Sequence, residues 1–162
     1  MSGLSDWLRD FRDLHERARQ GVLRAGEESR YHSLRDELAR TMLAAQKLTR
    51  SSGEQPRRTL RVARALQLDV EIGDARERTV TLDLSVGGLS TLLARAPGLG
   101  DLVGITMRLP AAKSLECRAR VTDVKVLTGL VRISAKFVDL PAADLERLEV
   151  FIIDTVLGMF ST

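Results

Sequence analysis

Two arginines four residues apart, Arg57 and Arg61, and the run Asp83-Leu84-Ser85-Val86-Gly87-Gly88 are the residues whose types and spacing could do chemistry. An arginine presents a planar fork of N–H donors. The fork bonds bidentately to phosphate oxygens or to the O6/N7 edge of a guanine, and its plane stacks on a base. Asp83 is an acceptor-only carboxylate at neutral pH and can take the N1 and N2 hydrogens of a guanine, a pairing that adenine does not offer. In a regular strand Ser85 projects from the same face as Asp83. Gly88 leaves room where a Cβ would obstruct a nucleotide, and it can take the positive φ of a turn. The set points to an anionic guanine nucleotide held by Arg57, Arg61, Asp83, Ser85 and Gly88. Gly87 is a further candidate, and so is Arg58, which ranks lower because a regular strand points it away from Arg57.

Each half of this set has an ordinary explanation. A basic stretch beside a linker is commonly a solvated one, and Asp, Ser and Gly-Gly between two strands commonly do no more than build a turn. Joint placement is what gives them weight. Arg57, Arg58, Arg61 and Arg64 fall within one short window, with no acidic residue between Glu54 and Asp69. Arg64, Arg118 and Arg120 are read as surface charge. His15 and His32 lie on expected helices with no partner at metal-ligand spacing, so no metal site is expected. Cys117 reads as a small core residue, and Ser85 lacks a neighbouring base. With no phosphate-loop, zinc-protease or paired-carboxylate signature, no catalytic residue is assigned and a binding protein is expected rather than an enzyme.

The elements that must position these residues follow from periodicity. Leu4, Trp7, Leu8, Phe11 and Leu14 recur at three and four, predicting an amphipathic helix that ends near Gly21, with Ser5 or Asp6 as N-cap. A second helix runs from after Gly26 to about Leu48, with Tyr31, Leu34, Leu38 and Met42 on one side. The two form a helical hairpin over residues 1–50, whose apolar stripe could also support a homo-oligomer. Residues 51–56, Ser-Ser-Gly-Glu-Gln-Pro, form a linker. Beyond it the period becomes two. Six strands are expected: Leu60 to Ile72, Thr79 to Leu84 with Val80, Leu82 and Leu84 on one face, Leu89 to Leu93, Asp101 to Leu109, Leu115 to Val126 and Leu130 to Leu140. Such a set favours a closed antiparallel barrel. Pro141 opens a terminal helix that carries Leu145, Leu148, Phe151, Ile152, Val156 and Met159. The fold class is mainly β with helical additions: a six-stranded antiparallel barrel over 57–162, including a C-terminal helix, behind the N-terminal helical hairpin.

Composition bounds the rest. The chain has 162 residues, 44% hydrophobic and 29% charged, with a net charge of +3, which suits an ordinary globular protein. Val150 to Phe160 is too short to span a bilayer, which takes about 20 residues. An acidic N-terminal segment and one cysteine lead to the expectation of a cytoplasmic protein. With one Tyr, one Trp and four Phe, mostly at apolar-periodic positions, a nucleic-acid-binding barrel is disfavoured for want of base-stacking surfaces.

With the two motifs in this order, ahead of the first strand and at the end of the second, the chain resembles the PilZ family. That family's signature is R-x-x-x-R followed by D/N-x-S-x-x-G, matched here by Arg57 and Arg61 and by Asp83, Ser85 and Gly88. The resemblance covers roughly residues 56 to 140 and leaves the hairpin outside. It implies a receptor for the bacterial second messenger cyclic di-GMP, a ligand with two guanines and two phosphates, with no cofactor. It also implies a protein partner downstream in motility, surface attachment, polysaccharide production or virulence. The arginine segment would close over ligand held on the barrel's outer face. A ligand-free interaction adaptor is the alternative role.

Overall fold

The computed structural model describes residues 3–48, 60–110 and 113–159; the linker 51–56, Arg57 and Arg58 lie outside them. The chain divides into two compact units, one of Met1–Leu60 with Ile153–Thr162 and the other of Arg61–Ile152.

In the first unit, helix α1 covers Leu4–Gln20 and α2 covers Glu27–Leu48. The three-and-four spacing buries Phe11 and Leu14 on α1 and Tyr31 and Leu38 on α2. The N-cap is Gly3 rather than Ser5 or Asp6, and its carbonyl accepts from the amides of Asp6 and Trp7. Asp6 instead sits in the first turn, where a carboxylate suits the positive end of the helix dipole. At the other end Gly21 adopts φ 72° and donates to Ala18 while Val22 donates to Arg17, which satisfies carbonyls left over by the last turn. The helices run antiparallel. Phe11 stacks on Tyr31 with ring centroids 5.8 Å apart, and Arg17 Nη1 donates to both oxygens of Glu27 at 2.7 and 2.6 Å.

The C-terminal helix α3 covers Ala142–Gly158, and its end belongs to this unit. Arg12 donates to the carbonyl of Leu157 at 3.2 Å. His15 is buried, with Nδ1 2.8 Å from the Tyr31 hydroxyl and Nε2 3.3 Å from Asp154 Oδ1. Burial lowers its pKa below 6.5, against the opposing pull of Asp154. His15 therefore sits at a helix interface, while His32 is half-exposed, with Nε2 3.9 Å from Glu28 Oε1. Of the residues expected on the apolar face of α3, Leu148, Ile152 and Val156 are buried. Ile153 and Leu157 join them, and Leu145 and Met159 face solvent.

The second unit holds the barrel. Its strands are β1 Gln67–Ile72, β2 Ala75–Leu84, β3 Gly88–Leu93, β4 Leu102–Met107, β5 Leu115–Val126 and β6 Val131–Val138. They close in the order β1-β2-β3-β6-β5-β4, with every neighbouring pair antiparallel. Closure pairs β1 with β4, so no strand of the barrel is left with an open edge. Leu68, Val70, Leu84, Leu93, Ile105, Met107, Leu115 and Ile133 fill the interior and are essentially inaccessible. Val62 precedes β1 as an isolated bridge to Leu84, and Arg64 lies between that bridge and the first strand.

One expectation about β2 is corrected. Val80 was expected inside with Leu82 and Leu84, but Val80 is 45% exposed and Thr81 is buried. The cause is polar. Thr81 Oγ1 accepts from the amide of Leu66 at 2.9 Å and donates to the carbonyl of Arg64, closing the gap between the Val62 bridge and β1. A register shift between Thr81 and Asp83 then adds one residue to β2, which brings Leu84 back to the interior.

The His15 pocket has a pH signature. Because folding lowers the pKa of His15, the unfolded chain binds the extra proton first. Its contribution to stability is complete above pH 6.5 and is lost as pH falls through the folded value. Thermal melting followed from about pH 7.5 to pH 5 should show stability falling on the acid side, and His15→Gln should flatten that slope. An unchanged slope in the variant would mean that other titrating groups, not His15, produce the acid-side loss.

Candidate ligand site on the barrel

The β2–β3 connection is the best-defined local structure among the candidate residues. Strand β2 ends at Leu84, and Ser85 is buried in the turn that follows. Its amide donates to the Gly88 carbonyl at 2.9 Å, and its hydroxyl accepts from the amides of Gly87 and Gly88, both at 3.2 Å. The premise of a regular strand carrying Asp83 and Ser85 on one face therefore does not hold. Ser85 faces its own loop and fixes the turn, while Asp83 remains on β2.

Gly88 is needed for a different reason from the one sequence supplied. It is not among the residues with positive φ. A Cβ on Gly88 would lie 2.2 Å from the carbonyl oxygen of Ala135 and 3.1 Å from the Cα of Lys136, in the backbone of β6. Glycine here permits β3 and β6 to approach, and Gly87 secures the same seam by accepting from the amide of Phe137 at 2.9 Å.

The turn and the register shift together set Asp83 on the outer face. Arg61 Nη1 donates to Asp83 Oδ1 at 3.4 Å, and Arg132 Nη2 on β6 stands 3.7 Å from Asp83 Oδ2. Each carboxylate oxygen faces a different guanidinium. Asp83 is about one-fifth exposed and both arginines are more open, so these pairs contribute at most about 1 kcal/mol to stability. Both contacts are longer than an ordinary charge-assisted hydrogen bond. Opposite Asp83 in the ladder is Ser90, and opposite Ser90 is Ser134, which in turn faces Asp123 across β5. Ser90 is fully buried, and among the described residues its hydroxyl has no hydrogen-bond partner.

Of the sequence-predicted residues, the structure brings Arg61 against Asp83 and places Ser85, Gly87 and Gly88 in the adjoining turn. Arg57 and Arg58 fall outside the described residues. The surface arginines are occupied elsewhere: Arg64 lies over the Phe151 ring at 5.9 Å, Arg118 is 3.5 Å from Asp139, and Arg120 donates to the Gly100 carbonyl at 2.8 Å. Burial pushes the Cys117 thiol up to about 11, far from a nucleophile's range. Among the described residues no group of three or more His, Cys, Asp or Glu could hold a metal ion. No helix there is long and apolar enough to cross a membrane. Arg132 escaped sequence reasoning. Its only signal was the alternation Arg132, Ser134, Lys136 on the polar side of β6.

The family model described as PilZ domain matches residues 55–154, more than half of the chain. The chain belongs to the PilZ family. Among solved structures, the inhibitor of motility MotI/DgrA from Bacillus subtilis superposes with a TM-score of 0.60 at 20% identity, covering 67% of this chain and 55% of that one. YcgR from Escherichia coli in complex with c-di-GMP gives 0.57 at 20% identity, over 65% of this chain and 48% of that one. The c-di-GMP complex of MrkH from K. pneumonia gives 0.55 at 21% identity, over 65% of this chain and 55% of that one. At these identities the likeness shows the PilZ barrel, and the matched part spans about half the length of these neighbours. No match was found among curated proteins.

Gly88→Ala tests the close approach at the β3–β6 seam. The added methyl meets backbone, which cannot rotate away, so urea denaturation should show a loss of about 1–3 kcal/mol. A change within experimental scatter would show that the seam has slack.

Proposed function

We propose that this protein is a receptor for cyclic di-GMP that relays the signal to a protein partner, in motility, surface attachment or polysaccharide regulation. The observation that carries the proposal is the meeting of the two motifs: Arg61 lies against Asp83 at the outer edge of the barrel, beside the Ser85–Gly88 turn. Membership of the PilZ family supports it, as do structural neighbours described as complexes with c-di-GMP. MotI, described as an inhibitor of motility, supports the motility reading.

In this mechanism Asp83 exchanges its guanidinium partners for the N1 and N2 hydrogens of one guanine. Arg61, released, and Arg57 take phosphate oxygens or stack on a base. Ser85 and Gly88 hold the turn against which the nucleotide rests, with Gly87 in the same turn; Arg58 is a further candidate contact, and no bond is made or broken. A ligand-free adaptor remains the alternative role, and a nucleic-acid-binding barrel is the less favoured one. The helices of residues 1–50 are proposed as the output element, reaching a protein partner or a second copy of the chain.

Calorimetric titration separates these readings, with cyclic di-GMP, GTP and an oligonucleotide as ligands. The expected result is selective binding of cyclic di-GMP, abolished in Arg61→Ala and weakened in Asp83→Ala. Each lost charge-assisted contact should cost about 1.5–3 kcal/mol, roughly ten- to a hundredfold or more in affinity. No heat with the unaltered protein would favour the adaptor, and heat with the oligonucleotide alone would favour nucleic acid.

A further inference from the structure

The Asp83 corner contains one more group suited to base recognition than the two motifs supply. We infer that Arg132 donates to O6 of the guanine whose N1 and N2 hydrogens Asp83 accepts, and so helps to select guanine over adenine. This rests on the reading of the Asp83 corner as a cyclic di-GMP site.

The Watson–Crick edge of guanine runs donor, donor, acceptor: N2–H, N1–H, O6. A protein edge that complements it must run acceptor, acceptor, donor. Asp83 supplies the two acceptors in its Oδ1 and Oδ2. The donor has to stand beside one of them, and Arg132 Nη2 stands 3.7 Å from Oδ2. Adenine presents an amino group where guanine has O6, so a guanidinium at that place repels one base as it holds the other.

Arg61 flanks the opposite oxygen, with Nη1 3.4 Å from Oδ1. The backbones distinguish the two. Arg132 lies within β6, paired on one side with Leu92 of β3 and on the other with Lys125 of β5, so its Cα is fixed by two ladders. Arg61 precedes β1, next to the isolated Val62–Leu84 bridge, on the segment that also carries Arg57. A group that reads a base needs a rigid mount, whereas phosphates can be gripped from a less constrained one. The division of labour therefore gives O6 to Arg132 and leaves Arg61 for phosphate.

Ser90 adds an independent mark. It faces Asp83 in the ladder, is fully buried, and has a hydroxyl without a partner among the described residues. Buried hydroxyls are normally satisfied. An unsatisfied one beside a carboxylate held by two loose ion pairs indicates a hydrogen-bond set that is completed when the carboxylate changes partners.

The test titrates the full chain with cyclic di-GMP and with cyclic di-AMP, comparing the unaltered protein, Arg132→Met and Arg132→Lys. Methionine keeps the length and apolar stem of the side chain, and melting curves check that each variant is folded. The expected result is a loss of cyclic di-GMP affinity in Arg132→Met on the order of tenfold to a hundredfold, with the preference over cyclic di-AMP shrinking by a similar factor. Lysine should restore affinity for both ligands in part while leaving the preference reduced, since it carries the charge without the fork. An unchanged preference in a folded Arg132→Met protein would overturn the inference. So would equal weakening for both ligands, which would mark Arg132 as a source of general positive charge. If the unaltered protein binds neither ligand, the reading of the site fails first and this inference falls with it; binding by the unaltered protein isolates the role of Arg132.

Discussion

The candidate site depends on a turn that is over-determined from two directions. Inside the loop, Ser85 binds the amides of Gly87 and Gly88 and the carbonyl of Gly88. Outside it, Gly88 lies so close to the Ala135 carbonyl that no other residue would fit without moving a strand. The turn thereby fixes the seam between β3 and β6, strands that are adjacent in space but far apart in sequence. Because β6 is held there, Arg132 can reach Asp83 across β3. The position of a charge on the last strand is thus set by a serine hydroxyl between the second and third.

A second constraint acts on the same corner. β2 carries a register shift between Thr81 and Asp83, and β5 carries one between Val121 and Asp123. Both flank the cross-strand row Asp83, Ser90, Ser134, Asp123. Bulges sharpen local twist and re-aim side chains, and they gather where a sheet is doing something other than pairing. Here the β2 shift exposes the carboxylate that would read a base, while Leu84 returns to the interior. Thr81 is the internal anchor of that shift, tied by its hydroxyl to the segment leading from Arg61 into β1. A polar residue in the barrel interior is therefore part of what brings the two motifs together.

The sequence was a good guide to which elements occur and in what order, although β1 begins at Gln67 rather than Leu60 and β2 at Ala75 rather than Thr79. The turns at Gly73, Pro97-Gly98 and Thr128-Gly129 and the helix stop at Gly21 punctuate the chain clearly, and the observed strands fall within or close to the expected runs. It was a poorer guide to which face is which. Alternation placed Val80 on the face of Leu82 and Leu84, but the amide of Leu66 and the carbonyl of Arg64 needed Thr81 there, and hydropathy does not register such a demand. Gly88 and Ser85 were recognised as a turn, yet the close contact that requires glycine comes from β6, some fifty residues later, which no local pattern encodes. Arg132 was hidden for the same reason. It is one of many surface arginines until the closed barrel carries it to Asp83. Residues 51–59, with Arg57, lie outside the described residues, so the R-x-x-x-R half is visible only through Arg61.

The central claim is that the nucleotide is held on the outer face where β2, β3 and β6 meet, and amide chemical-shift mapping with cyclic di-GMP tests it most directly. The account predicts that the largest shifts fall at Arg61 and Val62, across Asp83 to Ser90, and along Arg132 to Lys136. Shifts centred on the β1–β4 side, at Gln67–Ile72 and Leu102–Met107, would contradict it, as would saturating ligand that leaves the Asp83 corner unmoved.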